Sequence, residues 1–230
     1  MAEIYELYYW PMLPGRGEIL RLLLEDAGAS YRDVARERGV PAVLEARAGE
    51  LGGPRPFAPP VLRVGELVLS QSAVIARFLG ERLGLAPPDE AGRLHAQQHF
   101  LGWSDLMLEA HDTHHPLASG RHYEEQREAA SERAEYFRTE RLGMWLKHFE
   151  AVLEANDDGV HVGSDIGYPD LMAYFVLGGL AHAFPNAYAA QRSAIPQLTA
   201  LRARVAARPN IVRYTSSERC LPFNAHGIFR

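Results

Sequence analysis

Every segment with strand character in this 230-residue chain lies before residue 71, and that lopsided distribution excludes most architectures. Residues 3–10 (EIYELYYW) are rich in aromatic types and predict a strand, broken by Pro11, Pro14, Gly15 and Gly17. A strongly apolar helix is expected over about 18–27, with Gly28 as its C-terminal stop. Ser30–Ala35 reads as a second strand, and the Gly- and Pro-containing stretch 39–60 as a loop with a short helix. Val61–Val64 and Leu67–Ser70 around Gly65-Glu66 have the pattern of a β-hairpin. Helical periodicity returns over Ser72–Leu83, with Ala73, Ile75, Ala76, Phe78 and Leu79 directed to a core. This order is that of a small α/β sandwich.

The run GLAPPDEAG then reads as a linker, because its Pro-Pro pair cannot continue a helix. It divides the chain into residues 1–84, a linker over 85–92, and an all-helical part over 93–230. Helices are expected at about 91–118, 124–155, 168–183 and 194–207, followed by an irregular tail. Composition narrows the function. The single Cys220 excludes an internal disulfide, a CxxC redox pair and a multi-cysteine zinc site. A net charge of -5 argues against nucleic acid as a partner. No apolar run approaches the roughly 18 residues that a membrane span needs, and the start lacks the features of a signal peptide. A cytoplasmic protein without a membrane partner is expected. Lys147 is the only lysine among many arginines and alanines, a skew that points to a GC-rich bacterial genome.

The run LYYWPMLPGRGEILRLLLEDAG resembles the opening of glutathione transferases of the tyrosine type (alpha, mu, pi and sigma classes). PPVLRVGELVLSQSAVIARFLGERLGL resembles their proline-strand-strand-helix segment. The resemblance continues, weaker, into the helical part. It implies a thioredoxin-like domain followed by a helical glutathione transferase domain, glutathione as co-substrate, no metal cofactor, a small hydrophobic electrophile as second substrate, and a homodimer. It also implies that Pro60 is a cis-proline, which presents the backbone around Pro59 and Val61 to glutathione as to an added strand. This sequence departs from the family here: Pro59 has no N–H to donate, and only its carbonyl remains. Loss of one such hydrogen bond costs about 0.5–1.5 kcal/mol.

Gln71 and Ser72 open a helix. Ser72 is a good N-cap, and a helix N-terminus is a ready carboxylate site; in the family the matching pair holds the γ-glutamyl carboxylate. Arg16 matches a basic residue near the start of the first helix and suits a carboxylate of glutathione, although an exposed helix arginine is also an ordinary feature. Asp105 corresponds to a contact with the glutathione amine, made within the chain or across a dimer interface.

The thiol of glutathione, with a pKa of roughly 8.5, is only about 3% thiolate at pH 7, so a group that stabilises the thiolate is needed. Before Ser30 the chain has no Ser, Thr or Cys; it offers Tyr5, Tyr8 and Tyr9. Aligned on the strand end, Tyr9 is the catalytic hydroxyl and Tyr8 the runner-up. Side chains alternate along a strand, so the two face opposite sides; packing roles for all three tyrosines stay open. Trp10 walls the glutathione site or fills core. Met12, Leu13, His111, His115 and Phe223 are assigned to the acceptor pocket, Phe223 as a lid. His111 and His115, at i and i+4, share a helical face; the spacing fits a polar pocket wall, a hydrogen-bonded helix end or metal ligation. Gly167-Tyr168-Pro169-Asp170-Leu171 resembles the family's helix-start motif and reads as folding. The competing reading is a transferase-like binding or scaffolding protein with little turnover.

Overall fold

A computed structural model describes residues 4–230. The chain opens with β1 (Tyr5–Tyr8), α1 (Arg16–Asp26), β2 (Tyr31–Asp33), α2 (Val34–Arg38), α3 (Val40–Ala48), the hairpin β3 (Val61–Val64) and β4 (Leu67–Ser70), and α4 (Ser72–Arg82). The strands form one sheet in the order β2-β1-β3-β4, with β1 parallel to β2 and antiparallel to β3. Alternation along β1 sorts its side chains. Tyr5 and Leu7 join Leu20, Leu23, Ile75 and Leu79 in the main core, whereas Tyr8 joins Val34, Ala42, Ala46, Val61 and Val68 on the opposite face.

That second face is covered by the short helix expected within residues 39–60, α3, together with α2. Pro41 sits in the first turn of α3, where a missing N–H costs nothing. Gly49 ends the helix in the left-handed region at φ 88°.

The rest is helical: α5 (Glu90–Asp112), a 3₁₀ turn at Tyr123–Glu125, α6 (Arg127–Tyr136), a π-helical turn at Phe137–Arg141, α7 (Leu142–Glu154), α8 (Tyr168–Ala183), α9 (Pro185–Gln191), a 3₁₀ turn at Arg192–Ala194, α10 (Pro196–Ala206) and α11 (Pro209–Thr215). The expected single helix over 124–155 is therefore interrupted, and the expected irregular tail begins with α11. On α5, Trp103 is fully buried and stacks on Phe149 of α7 at 3.8 Å between centroids. Its Nε1 donates to His161 Nε2 at 2.8 Å, and His161 Nδ1 donates to Asp170 Oδ1 at 2.7 Å. The other Asp170 oxygen accepts the Gly167 N–H at 2.8 Å, so the helix-start motif fastens α8 to the core.

The main core is continuous between the sheet layer and the helices. A buried polar knot adds to it. Arg21 of α1, wholly buried, donates to Glu18 at 2.8 Å and to Asp33 at 2.6 Å. Glu18 in turn accepts from Tyr214 of α11 at 2.6 Å. The knot ties α1 to the end of β2 and to the last helix, and thereby fixes the turn that precedes α1.

Candidate active site

Strand register brings one set of residues together. Tyr8 pairs with Val61, and Val61 with Ser70, so one end of the sheet gathers the residues that follow β1, precede β3 and follow β4. Those are Tyr9, Pro59-Pro60 and Gln71-Ser72. The Pro59–Pro60 peptide is cis. The Val61 side chain is buried with Tyr8 beneath the sheet, which leaves its backbone as the part available to a ligand. Gln71 has φ 70°, a left-handed conformation uncommon for a residue other than glycine and typical of positions held for a purpose. The helix begins one residue earlier than an N-cap at Ser72 implies: Gln71 is the N-cap, and Ser72, buried, is the first helical residue. The serine hydroxyl therefore sits within the first turn, among N–H groups that lack helical partners.

Tyr9 lies just past β1 and is 5% exposed. Its Oη accepts the backbone N–H of Arg16 at 3.0 Å, at the opening of α1. Two glycines make that position possible. A Cβ on Gly15 would meet Tyr9 Oη at 2.3 Å, and one on Gly17 would meet the ring at 2.3 Å. The sequence signal, two glycines flanking Arg16 at the mouth of a helix, is legible as close backbone approach; read only as strand breakers, they were missed as site residues. The Arg21 guanidinium lies 5.8 Å from the centre of the Tyr9 ring. Burial pushes the Tyr9 hydroxyl above its usual pKa, and the Arg16 N–H and the charges of Arg21 and Arg16 only partly oppose this. Tyr9 is thus a phenol at neutral pH. Tyr8 faces the other side of the sheet, with its hydroxyl 3.5 Å from Glu6.

Tyr9 and Arg16 share a cleft of about 420 Å³ with His111, His115, Leu108 and Ile228. Burial lowers the pKa of both histidines. Sequence reasoning overlooked His114, which is buried with its ring edge-on to both and held down to about 4 by that burial. Other assigned residues stand apart from this cleft. Asp105, exposed on α5, lines a different hollow of about 510 Å³ with Leu94, Leu101 and His148. Trp10 is half-buried, and its carbonyl accepts the Leu13 N–H at 3.3 Å in the turn that also carries Met12. Met12 is exposed, with its carbonyl accepting from Asn224 of the tail at 3.2 Å.

Phe223 does not cover the cleft. It packs on Phe175, Phe229 and His182 beside a separate cavity of about 120 Å³. The cause is the anchoring of the tail by Phe229, buried against α8 at Gly179, where a Cβ would meet the ring at 2.1 Å. Ile228, the residue before that anchor, is the tail residue that reaches the cleft.

A mixed four-stranded sheet with a cis-proline leading into β3, capped by an all-helical half, defines a thioredoxin-like protein of the glutathione transferase architecture. Residues 111–218 match the family model described as "Glutathione S-transferase, C-terminal domain". Glutathione S-transferase P 1 of Xenopus laevis is 30% identical over 93% of this chain and 92% of its own. The glutathione S-transferase of Plasmodium falciparum is 24% identical over 95% and 98%. Among solved structures, prostaglandin synthase D of Nilaparvata lugens shares the fold with a TM-score of 0.73, at 20% identity over 95% of this chain and all of the other. The chain belongs to the glutathione S-transferase family.

Proposed function

We propose that the protein is a tyrosine-type glutathione transferase in which Tyr9 stabilises the thiolate of glutathione for attack on a small hydrophobic electrophile. The observation that carries this reading is the Tyr9–Arg16 hydrogen bond. With one lone pair of Oη occupied by the Arg16 N–H, the phenolic O–H is left to donate into the cleft. A phenol that keeps its proton acts as a donor to sulfur rather than as a base. The thiol proton leaves to water, the sulfur lone pair forms the bond to the electrophilic carbon, and the electrons pass to the acceptor or its leaving group.

Glutathione lies along the end of the sheet in this reading. Its cysteinyl backbone pairs at Pro59–Val61, and its γ-glutamyl carboxylate meets Gln71 and the Ser72 hydroxyl at the N-terminus of α4. Arg16 takes a carboxylate from the cleft side; Trp10 walls the glutathione site, and His111 and His115 shape the acceptor pocket. Asp105 acts from the neighbouring subunit of a homodimer. The working place is the cytosol, where such chemistry serves detoxification; no described helix is long and apolar enough to cross a membrane. Pro59 is the specific observation behind a second reading, a weakly catalytic binding protein, because it removes one backbone donor to the peptide.

Calorimetric titration with glutathione tests the site, with Tyr9→Phe and Ser72→Ala alongside. Binding weakened by Ser72→Ala and nearly unchanged by Tyr9→Phe is expected. No heat from the wild-type protein at millimolar glutathione would remove glutathione from the account.

A further inference from the structure

The end of α5 holds a constellation that thiol chemistry does not use. His111, His114 and His115 each offer a ring nitrogen, and the three atoms lie within 4.8 Å of one another. The chain bends back over one more turn here: the N–H groups of His114 and His115 both donate to the His111 carbonyl, at 3.1 and 3.3 Å. The His111 and His115 rings stack at 5.1 Å with 12° between their planes. His114 Nε2 donates to the Ile228 carbonyl at 2.8 Å, which leaves Nδ1 of that neutral ring bare. This unprotonated nitrogen accepts a hydrogen bond from His115 Nδ1 at 2.5 Å, a bond that a shared cation would replace.

We propose that His111, His114 and His115 form a binding site for a divalent cation of the zinc type at the wall of the Tyr9 cleft. Three imidazoles with one open position are the donor set of an exchangeable zinc site. A histidine ligand ordinarily gives its second ring nitrogen to a carbonyl or carboxylate, which fixes the tautomer; the His114–Ile228 bond already supplies that arrangement. Zinc–nitrogen bonds of about 2.0–2.1 Å in a tetrahedral set place ligand atoms about 3.4 Å apart. The present spacings bracket that value, so modest ring rotations suffice. His111 and His115 face the cleft, and this gives an entry path and an open fourth position for water or a thiolate. The surrounding charges balance: Arg16 and Arg230 on one side, Asp112 and Glu124 on the other. A cation here would also fasten the tail, because His114 is its link to Ile228.

The test titrates Zn²⁺ into metal-stripped full-length protein without a polyhistidine tag or glutathione, since a free thiol also chelates zinc. Co²⁺ serves as a spectroscopic probe of tetrahedral coordination. One saturable equivalent per chain is expected, with visible cobalt bands of tetrahedral intensity. Loss of a ligand in His111→Gln or His115→Gln should weaken binding by more than the about ten- to hundredfold typical of removing an outer partner. The exposed His95→Gln should bind like wild type. His114→Ala could loosen the tail, so the two cleft-facing variants carry the test, with circular dichroism confirming their fold. Absence of a saturable equivalent, octahedral cobalt spectra, or equal loss in His95→Gln would overturn the site. None of these readouts depends on whether glutathione binds.

Discussion

Tyr9 is placed by what is missing from its neighbours: Gly15 and Gly17 lack the Cβ atoms that would occupy the space of its ring and hydroxyl. Two predictions separate its chemistry from its placement. In the proposed role, Tyr9→Phe would remove one hydrogen bond to a charged sulfur, worth about 1.5–3 kcal/mol. Turnover at neutral pH should therefore fall about ten- to a hundredfold, while the pKa of bound thiol, read from thiolate absorbance, rises. Unchanged turnover would move the role elsewhere. Gly17→Ala should act on the same step without touching the hydroxyl. The added methyl overpacks against the ring at a cost of about 1–3 kcal/mol, only partly offset by a gain in helix propensity of about 1 kcal/mol. Both the urea midpoint and turnover should drop; a variant as stable and active as wild type would mean that the ring shifts freely. Tyr9 was legible in the sequence as a candidate because the first strand is followed by no other hydroxyl or thiol until Ser30. The glycines were half legible, since close approach is a three-dimensional fact. The exchange of Phe223 for Ile228 was not legible at all, because it depends on Phe229 finding Gly179 on a distant helix.

Helix α1 carries the site, and its position depends on the Arg21 knot rather than on its surface charges. Arg21→Ala strands Glu18 and Asp33 in the interior and should cost about 3–5 kcal/mol. Arg77→Ala breaks an exposed i,i+4 pair of similar length, 2.8 Å to Glu81, and should cost no more than about 0.5 kcal/mol. Comparable urea midpoints for the two variants would refute the ranking. Helix α5 supplies a pH test. Burial holds His99 down to about 4, helped by His161, His148 and His95 and opposed by Asp170. The unfolded chain, titrating near 6.5, binds the proton first. The contribution of His99 to stability is thus complete above pH 6.5 and lost as pH falls towards 4. His99→Gln should flatten the decline in urea midpoint between those limits; an identical slope would assign it to other groups. Long periodic helices such as α1, α4 and α8 were readable from their apolar spacing. Two short ones were not: α9 and α11 each have proline in the first turn, where it starts a helix, whereas the same residue reads as a break when context is unknown.

Across the molecule, apolar surface is unevenly left over. Leu94, Leu101 and Leu108 recur every seven residues along α5 and are 45–52% exposed, and Phe57, 88% exposed, projects from the segment leading into Pro59-Pro60. A seven-residue stripe on one helix has the spacing of a helix contact face, and it is the face the proposed homodimer would use. The hollow lined by Leu94, Leu101 and Phe149 lies on that same helix, and so does Asp105. A two-fold dimer uses one patch twice, and in the proposed homodimer a projecting Phe57 and a hollow on α5 would form a complementary pair. That arrangement gives a physical reason for Asp105 standing outside the cleft of its own chain: its partner would be the ligand of the other subunit. It would also couple assembly to binding, because Phe57 and the prolines proposed to meet glutathione share one short segment. Leu101→Arg places a charge in the middle of the stripe and should yield monomers by sedimentation equilibrium. Glutathione affinity should fall with it, although Tyr9, Gln71 and Ser72 are untouched. A dimer that survives the substitution would put the interface on another face, and a monomer with full affinity would show that each chain binds glutathione with its own residues alone.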